Sequence, residues 1–400
     1  MKPCTLRPSF VRAWPCIASN FSTSSFQLPP PPPPPPPSPL AHARDVTQIR
    51  HRRFHSSLSA PPPPLLASSP PSLLPLPLFL RPPKRTTTVS ELLEWHSWAK
   101  SLAASVGSSF EDSDNGPDSS LLCRELNWLM EDVLHGFDPS LMHRAVARDD
   151  PDIVISLRAD VQELYSLWKQ RIEERRPFQY IVGCEHWRDL ILCVREGVLI
   201  PRPETEIIVD LVGDVISKDE ELREGLWADL GTGSGAIAIG IAKILGNYGS
   251  VIATDLSPVA IQVASFNVQR YSLQDKIEVS EGSWLEPLKG VEGKVAGLVS
   301  NPPYIPSDDI SGLQAEVGRH EPRLALDGGA EGMDDLLHLC NGAASMLKPG
   351  GFFAFETNGE KQCEFLVDYM QNQLPGSFCN VNTLSDFAGI QRFVTGFRNR

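Results

Sequence analysis

Between residues 89 and 174 the apolar positions recur at helical spacing. Over 89–105 (VSELLEWHSWAKSLAAS), Leu92, Leu93, Trp98 and Leu102 share one broad face, and Ser90 with an early acid, Glu94, reads as a helix start. The stretch 121–134 (LLCRELNWLMEDVL) repeats the pattern. So does 160–174, where Val161, Leu164, Leu167 and Trp168 fall at i, i+3, i+6 and i+7. The acidic, Gly- and Ser-containing stretch 110–119 reads as a loop. Several amphipathic helices and no strong strand predict a small helical domain over 86–176. The rhythm then shortens: 178–182 and 190–194 are β-like runs that predict a hairpin-like linker over 177–200.

Beyond residue 201 strand and helix patterns alternate. Apolar runs at 226–230, 250–254, 276–280, 295–300, 352–356, 378–383 and 392–396 predict strands, with helices at 235–245, 258–271, 333–347 and 360–373. This alternation predicts an α/β domain over 201–400, a doubly wound, mainly parallel sheet with helices on both faces. No internal repeat is present.

Composition sets the first 85 residues apart. They hold a large share of the chain's 37 prolines, including the unbroken run 29–37, which can form neither helix nor central strand. The first 90 residues carry ten Lys or Arg and one acid, Asp45, and are rich in Ser and Thr. Basic, hydroxyl-rich and acid-poor is the composition of an organellar transit peptide; an ordinary disordered tail is the plainer reading. Arg52-Arg53-Phe54-His55-Ser56-Ser57 resembles a mitochondrial processing region, while a long Pro- and Ser-rich leader also suits a plastid. The stretch 73–80 is apolar but short and broken by Pro75 and Pro77, far from the roughly 20 residues of a membrane span.

With a leader of +9 in a chain of −13, residues 91–400 carry −22. So acidic a body is a poor fit to phosphate-backbone binding and suits a basic partner protein better. The body's cysteines, Cys123, Cys184, Cys193, Cys340, Cys363 and Cys379, show no metal-ligand or redox spacing, and the histidines form no HxxxH cluster. Reduced, structural cysteines and no metal are expected. Nothing in the pattern asks for more than a monomer.

Two motifs carry chemistry. Asp229-Leu-Gly231-Thr-Gly233-Ser-Gly235 follows an apolar strand and opens an apolar helix, where glycines permit a tight turn and close approach of a ligand. Asp255 ends the next strand, where a carboxylate can accept hydrogen bonds from both ribose hydroxyls. The loop also satisfies a dinucleotide pattern through Gly231, Gly233 and Ala236, so an adenosine cofactor is expected and a nicotinamide stays open. The second motif, Asn301-Pro302-Pro303-Tyr304, follows the strand at 295–300 and faces the same crevice. A planar amide or aromatic amine is a poor nucleophile because its lone pair is delocalised. The Asn301 side-chain oxygen and the Pro302 carbonyl can hold both N–H bonds and aim that lone pair at a methyl group. Pro302 and Pro303 stiffen the turn, and Tyr304 can pack on the planar face. No strong base is required, since a sulfonium is already a good methyl donor. The plain alternative is a proline turn begun by Asn.

Together these residues resemble the release factor glutamine methyltransferase family (HemK/PrmC-like) over roughly 177–398. DLGTGSG and NPPY are shared with many amino-methyltransferases. More specific are LIPRPETE at 199–206, EPRLALDGG at 321–329 with Gly332-Met333-Asp334 after it, and DFAGIQR at 386–392. The resemblance implies a class I, Rossmann-like S-adenosylmethionine methyltransferase fold. It implies that Gly231, Thr232, Gly233, Ser234, Gly235, Asp255, Trp284 and Asn301 contact S-adenosylmethionine. It implies that Asn301, Pro302, Pro303 and Tyr304 bind the glutamine of a release factor GGQ loop, with Asn301, Pro302 and Tyr304 catalytic and the helical domain helping to grip the factor. Trp284 then flanks the adenine, or is a core tryptophan. Glu204 and Thr205 line the pocket, or Thr205 caps a helix. With the leader, the partner becomes an organellar release factor in chloroplast stroma or mitochondrion.

Two positions depart from the family pattern: Ser283 stands where Asp is frequent, and Glu356-Thr357-Asn358-Gly359 where Glu-Ile-Gly is frequent. The rival functions are an adenine N6-methyltransferase acting on nucleic acid, a nicotinamide oxidoreductase and a non-catalytic adaptor. The acidic body disfavours the first, NPPY the second, and intact Asp255, Asn301 and Tyr304 the third.

Overall fold

The computed structural model describes residues 75–134 and 153–400, and the expectations for a leader over 1–74 lie outside them. The leader boundary at 85 needs correction, because the folded body begins earlier. Leu78 is fully buried in a core with Leu92, Trp95, Leu122, Leu126 and Trp168, and Arg81 pairs with Glu163 at 2.6 Å. The helical region also contains strands. β1 (Arg85–Thr88) pairs antiparallel with β2 (Val154–Leu157). β1 reads RTTT, with no apolar alternation to betray it, and Thr supplies β-branching alone.

Helix α1 (Val89–Val106) is opened by a capping box between Thr88 and Glu91, two residues earlier than Ser90 suggested. α2 (Ser109–Asp114) takes the place of the expected loop and ends on Asn115 in the left-handed region, φ 58°. α3 (Ser119–Val133) and α4 (Val161–Glu173) start on the side-chain caps Asp118 and Asp160. Their apolar faces meet those of α1, and the Trp168 indole donates to the Ala99 carbonyl at 2.9 Å.

The run 178–182 is helix α5 (Phe178–Val182), not strand, and all five of its side chains are buried. Total burial erases periodicity, so Pro177 before it and Gly183 after it are the informative residues. Gly183 sits at φ 79°, and a Cβ there would lie 2.9 Å from Pro77 Cα. The hairpin follows as β3 (Cys184–Trp187) and β4 (Leu190–Cys193).

After α6 (Glu206–Ile216) and the short α7 (Glu220–Arg223) come β5 (Leu226–Leu230), α8 (Ala236–Leu245), β6 (Ser250–Asp255), α9 (Pro258–Arg270), β7 (Ile277–Glu281) and β8 (Val295–Ser300). α10 (Ala315–His320), α11 (Asp334–Met346), β9 (Leu347–Glu356), α12 (Glu360–Asn372), β10 (Phe378–Ser385) and β11 (Gln391–Arg398) complete the chain. The strand order is β10-β11-β9-β8-β5-β6-β7, with β9 through β7 mutually parallel and β11 running antiparallel to both of its neighbours, β9 and β10. Two cores cover the faces. One packs α6 and α8 with Trp187 and Leu190 of the hairpin; the other packs α11 and α12. This is the class I methyltransferase architecture, with the helical layer in front of it. Among the described residues no helix is long and apolar enough to cross a membrane.

Candidate active site

Strands β6 and β7 run outward from β5 on one side, and β8 returns to the other. The carboxyl ends of β5 and β8, in register at Leu230 and Ser300, are thus the switch point where open α/β sheets bind ligands. A cleft of about 1100 Å³, counting its open mouth, begins there. Both sequence motifs emerge into it.

The loop after β5 turns on Gly231, Gly233 and Gly235, all at positive φ (73°, 56° and 82°), which glycine adopts without strain. Gly231, Thr232, Gly233 and Ser234 line the cleft. Gly235 lies beneath it, where an added Cβ would meet Ala264 at 3.4 Å. Asp229 organises the loop from below. Its Oδ2 accepts from the Thr232 hydroxyl at 2.6 Å and the Ala238 N–H at 3.0 Å, while Oδ1 has no partner. Burial pushes its carboxyl up to about 7, against those two hydrogen bonds.

Asp255 ends β6. It accepts from the Gly233 N–H at 2.8 Å through Oδ2 and the Ser257 N–H at 2.9 Å through Oδ1. Burial raises its pKa and these backbone donors oppose the rise. A carboxylate has about four lone-pair sites, so acceptor capacity remains for a ligand in the cleft that Asp255 lines. Trp284, also at positive φ (45°), lays its ring against Gly231, and its indole N–H donates to Asp335 Oδ1 at 3.1 Å. Ser283 and Asp335 both line the cleft beside it. Burial raises the Asp335 pKa, opposed by the indole.

Asn301 lines the cleft at the end of β8 and donates through Nδ2 to Thr205 Oγ1 at 3.1 Å. Thr205, 3% exposed, stands just before α6, but its side chain makes no capping bond; it reaches Asn301 instead. Pro303 also lines the cleft. Pro302 and Tyr304 are not among its lining residues: the Tyr304 ring packs on the α11–α12 core and its hydroxyl donates to Glu356 Oε1 at 3.2 Å. Tyr304 is thereby held at the end of the turn with part of its surface still exposed. Burial holds its phenol far above the ordinary range.

Glu356 closes β9 with no exposed surface. Burial pushes it up to about 7, opposed by the nearby Thr205 hydroxyl, the Tyr304 hydrogen bond and the Arg392 charge, while Oε2 has no hydrogen-bond partner. The sequence gives no signal for Glu356 or Asp335 as neighbours of the site, because both come from strands or helices more than 50 residues away from their partners.

A family model described as ribosomal protein L11 methyltransferase (PrmA) matches residues 205–302, less than half of the chain. Three curated relatives are each called release factor glutamine methyltransferase. The protein of Synechocystis sp. is 35% identical over 315 residues, covering 76% of this chain and 95% of its own. Those of Thermosynechococcus vestitus and Gloeobacter violaceus are each 40% identical, covering 60% of this chain and 80% and 82% of theirs.

Proposed function

The chain belongs to the release factor glutamine methyltransferase family, and from that premise we propose that Asn301 presents the acceptor glutamine to a methyl donor held by the glycine loop. The protein is an S-adenosylmethionine-dependent methyltransferase of the release-factor glutamine side chain. The residues present suit that donor. Gly233 lines the cleft, and a Cβ on it would meet no protein atom within 4 Å, so the loop leaves open room. Asp255 keeps acceptor capacity for two ribose hydroxyls, and Trp284, Leu256 and Ile237 offer apolar surface to the remainder. When bound, the donor supplies a methyl group on a positively charged sulfonium.

The acceptor is a glutamine amide of the GGQ loop, whose lone pair is delocalised into the carbonyl. Asn301 spends its own amide N–H on Thr205, which leaves Oδ1 as an acceptor for a substrate N–H. That contact is the observation on which the reading rests. The Pro302 carbonyl is the second acceptor in the proposal. With both N–H bonds held, the nitrogen lone pair points along one direction only, and the rigid proline pair fixes that direction in advance. No side chain has to remove a proton before transfer.

Organellar residence and an organellar factor as substrate are the finer part of the proposal. The basic, acid-poor, Ser- and Thr-rich stretch ahead of residue 75 supports them.

The test uses residues 75–400, labelled S-adenosylmethionine, and a GGQ-containing release factor beside the same factor with its glutamine changed to alanine. Label is expected on the intact factor alone. Asn301→Ala should lower the rate about 100-fold or more while cofactor affinity holds. Label on the alanine factor, or a normal rate for Asn301→Ala, would overturn the reading.

A further inference from the structure

One side chain of α9 reaches both the glycine loop and the hairpin. Asn267 has no exposed surface and does not line the cleft. Its Oδ1 accepts from the Cys193 N–H at 2.8 Å, and its Nδ2 donates to the Cys193 carbonyl at 3.0 Å. The same Nδ2 donates to the Ser234 carbonyl at 2.9 Å, inside the loop that follows β5. Small neighbours on one face of the helix permit this approach. Ala260, Ala264 and Asn267 fall at i, i+4 and i+7. Ala260 lines the cleft, and Ala264 lies 3.4 Å from where a Cβ on Gly235 would stand.

Asparagine is the side chain that fits these partners. The Val194 N–H donates to the Gly183 carbonyl, so the alternation of an antiparallel pair turns the main chain of Cys193 away from β3. Two carbonyls and one N–H thus converge on Asn267, and main-chain groups cannot exchange roles. A primary amide offers two N–H bonds and one oxygen, which matches all three. Reversed, it would set oxygen against two carbonyls. A carboxylate would still accept from Cys193 but face both carbonyls with lone pairs, and an apolar side chain would lose all three bonds. The rest of the loop is held from β6: the Gly231 and Thr232 N–H groups donate to the Thr254 carbonyl, and the Gly233 N–H to Asp255. Ser234 is where the loop is held from α9.

We propose that Asn267 is a positioning residue for the methyl donor, fixing the Ser234 segment of the glycine loop and tying it to β4. The proposal rests on the glycine loop holding the donor. The three hydrogen bonds of Asn267 go to Cys193 and Ser234, not to the turn at Asn301–Tyr304. Its loss therefore weakens donor binding and leaves transfer at saturating donor nearly intact. A merely structural asparagine would cost stability alone. Tyr271 supplies that comparison: its hydroxyl holds the same strand, accepting from the Ile191 N–H at 2.7 Å, and its hydrogen bonds go to Ile191 only.

Asn267→Ala, Asn267→Asp and Tyr271→Phe are made in the full chain. Asn267→Asp keeps an acceptor for Cys193 and gives up the NH2 that holds Ser234. Calorimetry gives Kd for S-adenosylhomocysteine, turnover of a GGQ-containing release factor gives kcat and the donor KM, and heating gives Tm. Both Asn267 variants should raise Kd and donor KM about 10-fold or more, with kcat within a few-fold of the parent. Tyr271→Phe should lower Tm and leave Kd unchanged. A folded Asn267 variant with the parent's Kd, a loss confined to kcat, or an equal rise of Kd in Tyr271→Phe overturns the proposal. Should neither Asn267 variant fold, hydrogen exchange in the parent decides. Bound S-adenosylhomocysteine should slow the Cys193 amide, held by Asn267, more than the Ile191 amide, held by Tyr271. Equal slowing overturns the proposal. A parent that does not bind S-adenosylhomocysteine would instead remove the donor role of the glycine loop on which the proposal stands.

Discussion

At the scale of single residues, the acids around the cleft behave unlike surface acids, and the reason is burial. Asp229 has no exposed surface, one oxygen without a partner and a carboxyl pushed up to about 7. Its unfolded counterpart titrates near 3.9. The folded chain thus binds that proton more tightly than the unfolded chain does. The stabilisation is complete below the unfolded value and is lost as pH rises through about 7. Glu356, also pushed up to about 7, acts in the same direction. Asp229→Asn keeps the acceptor for Thr232 and Ala238 and removes the titration. The Tm of Asp229→Asn minus that of the parent should rise between about pH 4 and pH 7 and then level off. A difference independent of pH would mean that the buried proton plays no part.

At the scale of elements, α10 is the piece that joins the two layers. Its Glu316 accepts from Arg171 at 2.9 Å and from Arg175 at 2.7 and 2.6 Å, both near α4, while Arg171 also grips Glu125 of α3 through two nitrogens. Glu321, just past its end, pairs with Arg202 at 2.7 Å, and Pro322, Leu324 and Ala325 then border the cleft. Removing one partner from a buried charge network leaves the rest uncompensated. Glu316→Ala should cost about 3 kcal/mol or more in denaturant unfolding; a loss under about 1 kcal/mol would show the network to be a solvated surface pair. None of this was legible in the sequence, where Glu316 sits in an unremarked polar stretch. What was legible follows from periodicity. The strands and helices from residue 226 onward alternate cleanly, so their positions, the switch point and the glycine and NPPY loops could be read. α5 could not, because every side chain is buried, nor could β1, whose threonines carry no apolar pattern. Thr205 is legible through the LIPRPETE motif and does line the cleft. Glu356 and Asp335 escape for a different cause: each reaches its partner only after segments more than 50 residues apart are brought side by side.

At the scale of the whole molecule, the boundary between leader and body decides which chain can function. Composition alone put that boundary at 85, since proline and basic residues continue to that point. Packing puts it earlier. Leu78 is fully buried against the helical layer, Pro77 lies under Gly183, and the pair Arg81–Glu163 ties the same segment to α4. Loss of a buried leucine alone is worth roughly 1.5–3 kcal/mol, while the half-exposed ion pair adds less than about 1 kcal/mol. A chain starting at residue 86 should therefore unfold several degrees below one starting at residue 75. If an organellar protease trims the protein, its mature terminus must fall ahead of Leu78, because trimming beyond it would uncover the core that supports α1, α3 and α4. Import of the full chain into isolated chloroplasts and mitochondria, with the terminus of the processed product sequenced, tests both points. A mature terminus beyond Leu78, or equal unfolding temperatures for the two truncations, would show that this segment merely rests on the fold. Uptake by neither organelle would remove the targeting proposal and leave the methyltransferase assignment standing.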